Sequence, residues 1–134
     1  MRYADVNVGD LLPPLTKPPI TKRQLVMYAG ASGDFNPIHY DDPFAREGGH
    51  PQVIAHGMLS MAFFGQLVGD FAGPGAIAQL SARFKAVTYP GDVITSCGEV
   101  IEKRDDRREV VIRLIAKNAA GAVTLEGSAV VRLE

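Results

Sequence analysis

The sequence predicts an α+β fold in which one long buried helix packs against one antiparallel sheet. Three observations carry that expectation. Gly57–Asp70 reads GMLSMAFFGQLVGD, apolar nearly all the way round, and a helix with apolar residues on every face is a buried one. From Ile77 to Glu134 the pattern changes to stretches rich in Val, Ile and Thr, separated by turn-prone pairs. Those stretches follow one another with short connections, which suits an antiparallel meander rather than parallel βαβ units.

Taken in order, Met1–Ile20 holds Pro13, Pro14, Pro18 and Pro19, so it is extended or looped, and its centre is expected to run along the body as an edge strand. Thr21 with Gln24 three residues on resembles a capping box. Leu25, Val26, Tyr28 and Ala29 then form a short amphipathic helix that stops at Gly30–Gly33. A second short helix is expected over Asp42–Glu47, with Asp42 as N-cap and Pro43 at the first helical position, ended by Gly48-Gly49-His50-Pro51. In the buried helix Gly65 and Gly69 lie on one side and would admit another backbone closely. Strands are expected over Leu80–Tyr89, Asp92–Glu102, Glu109–Asn118 and Ala122–Leu133, with turns at Pro90-Gly91, Asp105-Asp106 and Ala120-Gly121. The mixed-charge run Lys103–Glu109 reads as a solvated hairpin tip.

The 134 residues, 46% apolar, suit a single domain over 1–134. A net charge of −1 argues against a nucleic-acid partner. Cys97 is the one cysteine, so no internal disulfide is available and no thiolate zinc spacing exists. Met1–Asp10 has no apolar h-region, and the apolar stretch Gly57–Gly69 falls short of the about 20 residues a membrane helix needs. No membrane association is expected, and the cytoplasm is the expected compartment. One short sheet covers only part of an all-round apolar helix, which points to a dimer.

Phosphate-cradling glycine loops, a Gly-x-Ser-x-Gly elbow and His-Glu-x-x-His are all missing. His39, His50 and His56 could join Asp34, Asp41 or Asp42 around a metal, but their spacing matches no standard site, so neither metal nor cofactor is expected. The informative segment is Ala31–Asp41, ASGDFNPIHYD, in which Pro37 stiffens the chain between Asp34, Asn36 and His39. It has two readings. Asp34 and His39 converge on a water, the carboxylate accepting one proton and the imidazole accepting or returning another. Alternatively, Asp34 and Asn36 bond local backbone in Asx-type turns with His39 half buried. Gly57 likewise either eases a tight turn into the helix or presents a free N–H at its positive end, where a substrate carbonyl can approach. His56 reads as a structural or pocket-lining residue rather than a second base.

Ser32-Gly33-Asp34-Phe35-Asn36-Pro37-Ile38-His39 and Ala55-His56-Gly57-Met58-Leu59 resemble the signature of MaoC-like (R)-specific enoyl-CoA hydratases, and Tyr89-Pro90-Gly91-Asp92 resembles that family's later strand-turn element. The resemblance implies a hot-dog fold, a curved antiparallel sheet wrapped around a long central helix, working as a dimer or double hot-dog. It implies that Asp34 and His39 hold the water that adds to C3 of a 2-enoyl thioester, carried by CoA or acyl-carrier protein, and return a proton to C2. It also implies that the Gly57 N–H polarises the thioester carbonyl and that Asn36 orients the pair, with Ser32 in support. Some relatives carry a hydroxyl residue where Gly65 stands, so that support is missing or replaced. Two alternatives share the fold: an acyl-thioesterase, disfavoured because the helix has no carboxylate before Asp70, and the catalytic subunit of a heterodimeric 3-hydroxyacyl-carrier-protein dehydratase. Phe35, Phe63, Phe64, Leu67, Val68 and Phe71 could line the pocket or the core, and Arg83 and Lys85 are local cations for a carrier.

Overall fold

The computed structural model describes residues 1–134. Helix α1 (Lys22–Ser32) begins where Thr21 accepts a hydrogen bond from the Gln24 N–H, the side-chain half of the anticipated capping box. It ends at Gly33, whose φ of 74° is a left-handed C-cap that glycine adopts without strain. Helix α2 spans Asp42–Glu47, but its N-cap is Asp41, not Asp42. The Asp42 carboxylate instead accepts from Lys22 Nζ and the Val53 N–H, tying α1 and the approach to the central helix together.

The central helix α3 spans Gly57–Ala72. Leu59, Phe63, Phe64, Leu67 and Val68 are buried. Met58, Ala62 and Gln66 are exposed, so within one chain α3 is covered on part of its surface only, as the all-round apolar pattern requires. The backbone at Pro74 approaches Gly69, while Gly65 meets the Leu80 side chain. No helix is long and apolar enough to cross a membrane.

The sheet has the order β1-β3-β4-β5-β2, every neighbour antiparallel, with β1 Leu15–Thr16, β2 Ile77–Phe84, β3 Thr95–Arg104, β4 Glu109–Lys117 and β5 Val123–Arg132. It curls around α3, the arrangement expected of a hot-dog fold. Val110, Ile112, Leu114 and Ala116 of β4 are buried while Arg113 and Lys117 are exposed, the alternation of a sheet with one face on the core.

Two strand expectations need correction. The meander holds for β3-β4-β5 only; β2 crosses to the far edge and pairs with β5. The stretch drawn as Leu80–Tyr89 starts earlier and stops at Phe84, because the Thr124 carbonyl accepts from both Lys85 and Ala86 and interrupts the ladder. The chain then crosses the start of α3, where Ala55 N–H donates to the Thr88 carbonyl. The Asp92–Glu102 stretch likewise pairs as Thr95–Arg104. β1 is the expected edge strand, shortened to two paired residues by the prolines on either side, with single bonds from Leu12, Lys17 and Ile20 extending it.

The hairpin tip Asp105–Arg108 is exposed as expected, but Glu109 beside it is not. Its carboxylate, 4% exposed, lies 3.0 Å from Arg132 Nε and 3.5 Å from Arg104 Nη1. The hydrogen bond from Arg132 first, and Arg104 beside it, hold this carboxyl below the usual range. A depressed folded-state pKa contributes stability above the unfolded value that is lost as pH falls through the folded one. Thermal melts should therefore show Glu109→Gln less stable than wild type at neutral pH, with the gap narrowing as acidification protonates the carboxylate.

Candidate active site

The loop after α1 is built from side chains that accept hydrogen bonds two residues ahead. Ser32 Oγ accepts from the Asp34 N–H (3.1 Å), Asp34 Oδ1 from the Asn36 N–H (3.2 Å) and Asn36 Oδ1 from the Ile38 N–H (3.1 Å). Asn36 thereby caps a 3₁₀ turn, Pro37–His39, that Pro37 starts. The Asx-type turns of the second reading are present, and the same loop brings Asp34 beside His39. The turns occupy Asp34 Oδ1 and leave Oδ2 facing His39 Nε2 at 3.6 Å. Asp34 is 52% exposed at its side chain, whereas His39 is almost fully buried.

The His39 tautomer follows from its partners. Nδ1 lies 2.7 Å from the Ile54 carbonyl oxygen, which can only accept, so Nδ1 carries a proton and, in the neutral imidazole, Nε2 has the lone pair. Asp34 Oδ2 and His39 Nε2 are then two acceptors facing each other, a contact that becomes favourable when a donor enters between them. A water, with two O–H groups, suits both at once.

His56 completes the cluster. Its ring stacks on His39 at 3.7 Å between centroids and 19° between planes, and Tyr28 packs edge-on against its ring at 4.8 Å. His56 Nε2–H donates to the Asp34 backbone carbonyl at 3.2 Å, leaving Nδ1 buried and without a partner. Burial is the main cause that pushes this imidazole below its ordinary value, and the neighbouring His39 adds to it. Ligand atoms of Asp34, His39 and His56 lie within 4.8 Å of one another, a donor set large enough for a cation. However, near-parallel rings direct their in-plane lone pairs side by side rather than toward one point, and His56 Nε2 is engaged with a carbonyl. The arrangement suits proton transfer better than tetrahedral coordination.

Gly57 follows His56 directly as the first residue of α3, so its N–H has no intrahelical acceptor. It opens on a cavity of about 440 Å³ lined by His56, Met58, Ser60, Phe84 and Val87. A Cβ there would lie 2.7 Å from Phe84 Cε1, so any side chain at this position requires that ring to move. A larger groove of about 780 Å³ crosses the outer sheet face past Arg83, Glu99, Arg113 and Glu126, and none of the Asp34 cluster lines it.

Of the other residues singled out, Ser32 and Asn36 act on the loop backbone. His50 lies apart, beside Tyr89 Oη, while Asp41 caps α2 and Asp42 bonds Lys22 and the Val53 N–H. Phe63, Phe64, Leu67 and Val68 are core, whereas Phe35 is exposed next to Asp34. The Ile54 carbonyl and the Tyr28 ring were not foreseen: a backbone acceptor leaves no mark in the sequence, and Tyr28 reads only as part of an amphipathic helix.

A curled antiparallel sheet around a central helix is the hot-dog architecture, and here an acid–imidazole pair lies beside the start of that helix. Residues 12–120 match the model of the MaoC like domain, and the chain belongs to that family of enoyl-CoA hydratases and dehydratases. It is 35% identical over 114 residues to an (R)-specific enoyl-CoA hydratase of Rhodospirillum rubrum, covering 84% of this chain and 78% of the relative. The enzyme of the same name from Aeromonas caviae is 34% identical over 112 residues, covering 82% and 84%. The solved (R)-hydratase from A. caviae involved in PHA biosynthesis superposes with a TM-score of 0.88 at 31% identity, over 96% of this chain and 98% of that one.

Proposed function

We propose that the protein reversibly hydrates trans-2-enoyl thioesters of CoA or acyl-carrier protein to (R)-3-hydroxyacyl thioesters. The observation that carries this reading is the 3.6 Å approach of Asp34 Oδ2 to His39 Nε2, with His39 Nδ1 engaged by the Ile54 carbonyl and the His39 ring stacked on the N-cap residue of α3. A water seated beside the two atoms donates one O–H to each. As its oxygen bonds to C3, His39 Nε2 takes a proton and the C2–C3 π electrons move into the thioester as an enolate. The Gly57 N–H stabilises the charge gathering on the carbonyl oxygen. The proton then passes from the pair to C2, restoring the thioester. The reverse sequence is dehydration.

The relatives named (R)-specific enoyl-CoA hydratase support the substrate class and product hand. Lys85, at the cavity rim and only loosely paired with Glu126 at 3.8 Å, is a local cation for an anionic carrier. The unpaired outer edge of β2 and the exposed flank of α3 around Met58 and Ala62 support assembly as a homodimer, or with a related subunit. Sizing of the active protein expressed alone distinguishes these.

The reading is tested by supplying enoyl-CoAs of several chain lengths, with a thiol-reactive dye present. Loss of the double bond without thiol release is expected. Thiol release would instead indicate hydrolysis, for which the central helix offers only the exposed Asp70 near its far end. Gly57→Ala should lower hydration roughly 10–10²-fold, because the methyl displaces the Phe84 ring at the cavity mouth and shifts the bound carbonyl. The ring is exposed and can swing, so the melting curve should change little. Combining it with Phe84→Ala should recover part of the lost rate.

A further inference from the structure

We propose that His56 is a positioning residue that sets the Asp34–His39 geometry from behind, holding one member of the pair by its backbone and the other by its ring face. The inference rests on Asp34 and His39 being the acid–base pair. Three contacts support it. His56 Nε2–H donates to the Asp34 carbonyl at 3.2 Å and so fixes the peptide that carries the catalytic carboxylate. The imidazole lies flat on His39 at 3.7 Å, so the base cannot tilt toward α3. Tyr28 presses edge-on from α1, closing the far side of the stack.

His56 is also the residue on which α3 begins, as its N-cap, so one side chain couples the frame of the pair to the frame of the Gly57 N–H. A side chain used this way has to present one fixed tautomer. The charged or titratable groups facing it are Asp34, His39 and Tyr28, and its 2% exposure keeps bulk water away. The bare, buried Nδ1 is what a ring pinned by its other nitrogen leaves over. The two stacked histidines therefore carry their protons on opposite nitrogens: His39 on Nδ1, leaving its base outward, and His56 on Nε2, spending its donor inward. Only His39 is available for chemistry.

The test uses His56→Phe, which keeps a ring for the stack but loses the donor, and His56→Gln, which keeps a donor near the Nε2 position but loses the stack. His56→Phe should lower kcat roughly 10–10²-fold with KM little changed, and His56→Gln should recover part of that loss. In an Asp34→Asn background His56→Phe should add little, because it acts through the pair. A His56→Phe protein with near-wild-type kcat overturns the inference, as does a full multiplicative loss on top of Asp34→Asn. Nitrogen-15 spectra of the wild-type histidines give a readout that needs no variant. His56 should be a neutral Nε2–H tautomer at neutral pH, and an Nδ1–H or charged His56 contradicts the assignment. If Asp34→Asn itself keeps wild-type activity, the hydratase reading fails; if it is inactive while His56→Phe is fully active, only the role of His56 fails.

Discussion

Asp34→Asn is expected to lower enoyl-thioester hydration by roughly 10²–10⁴-fold, the span for a positioned acid–base group, while the protein stays folded. The fold survives because the asparagine Oδ1 can still accept the Asn36 N–H that shapes the loop. The chemistry does not, for two reasons. The amide nitrogen that replaces Oδ2 cannot accept the hydrogen bond that holds the water. That Nδ2–H₂ would also face His39 Nε2, converting an acceptor–acceptor gap of 3.6 Å into a donor–acceptor contact that blocks the base. Steady-state hydration kinetics beside a circular-dichroism melt check both halves. A folded variant with near-wild-type turnover would remove Asp34 from the mechanism.

Phe64→Ala is expected to cost about 3–5 kcal/mol, the usual range for emptying a fully buried aromatic site. Phe64 is 0% exposed, in the middle of α3, and belongs to the cluster that joins the helix to Val100, Ile112, Leu114 and Leu125 of the sheet. The sheet is hydrogen-bonded strand to strand and cannot collapse onto one missing ring, so much of the cavity should persist. Domains of this kind are stable by about 5–15 kcal/mol, so the loss is a large share of the total. Denaturant unfolding measures it. A change below about 1 kcal/mol would mean that α3 is not the centre of the core.

What the sequence made legible follows from the range of the forces involved. The buried helix, the Gly33 stop, the proline-limited edge strand and the Gly48 end of α2 depend on local chemistry, and each stands where the residues placed it. The β2 boundary was not legible. Val87, Thr88 and Tyr89 have the composition of a strand, and only the distant Thr124 carbonyl, bonding Lys85 and Ala86 together, ends the ladder before them. The edge position of β2 was hidden for the same reason, since strand order is set by pairing across the chain. At α2 the sequence favours Asp42 as cap because Pro43 follows it, but a bond from the Val53 N–H engages that carboxylate and Asp41 caps instead.

The candidate site shows the same division. Asp34, Asn36 and His39 were legible because their spacing acts through the loop itself. The partner that defines the His39 tautomer is a main-chain carbonyl at Ile54, and the contact between His39 and His56 joins segments with α2 between them. Type and spacing single out the candidate groups; only the fold shows which nitrogen of each imidazole is engaged.

The most direct test of the acid–base assignment is to follow the enoyl double bond and the hand of the product with wild-type protein and with His39→Ala matched for folding. Wild type should convert a trans-2-enoyl-CoA to the (R)-3-hydroxyacyl-CoA with the thioester intact, and His39→Ala should lose nearly all of that activity. Folded His39→Ala protein that hydrates at close to the wild-type rate would contradict the placing of catalysis at the Asp34–His39 gap.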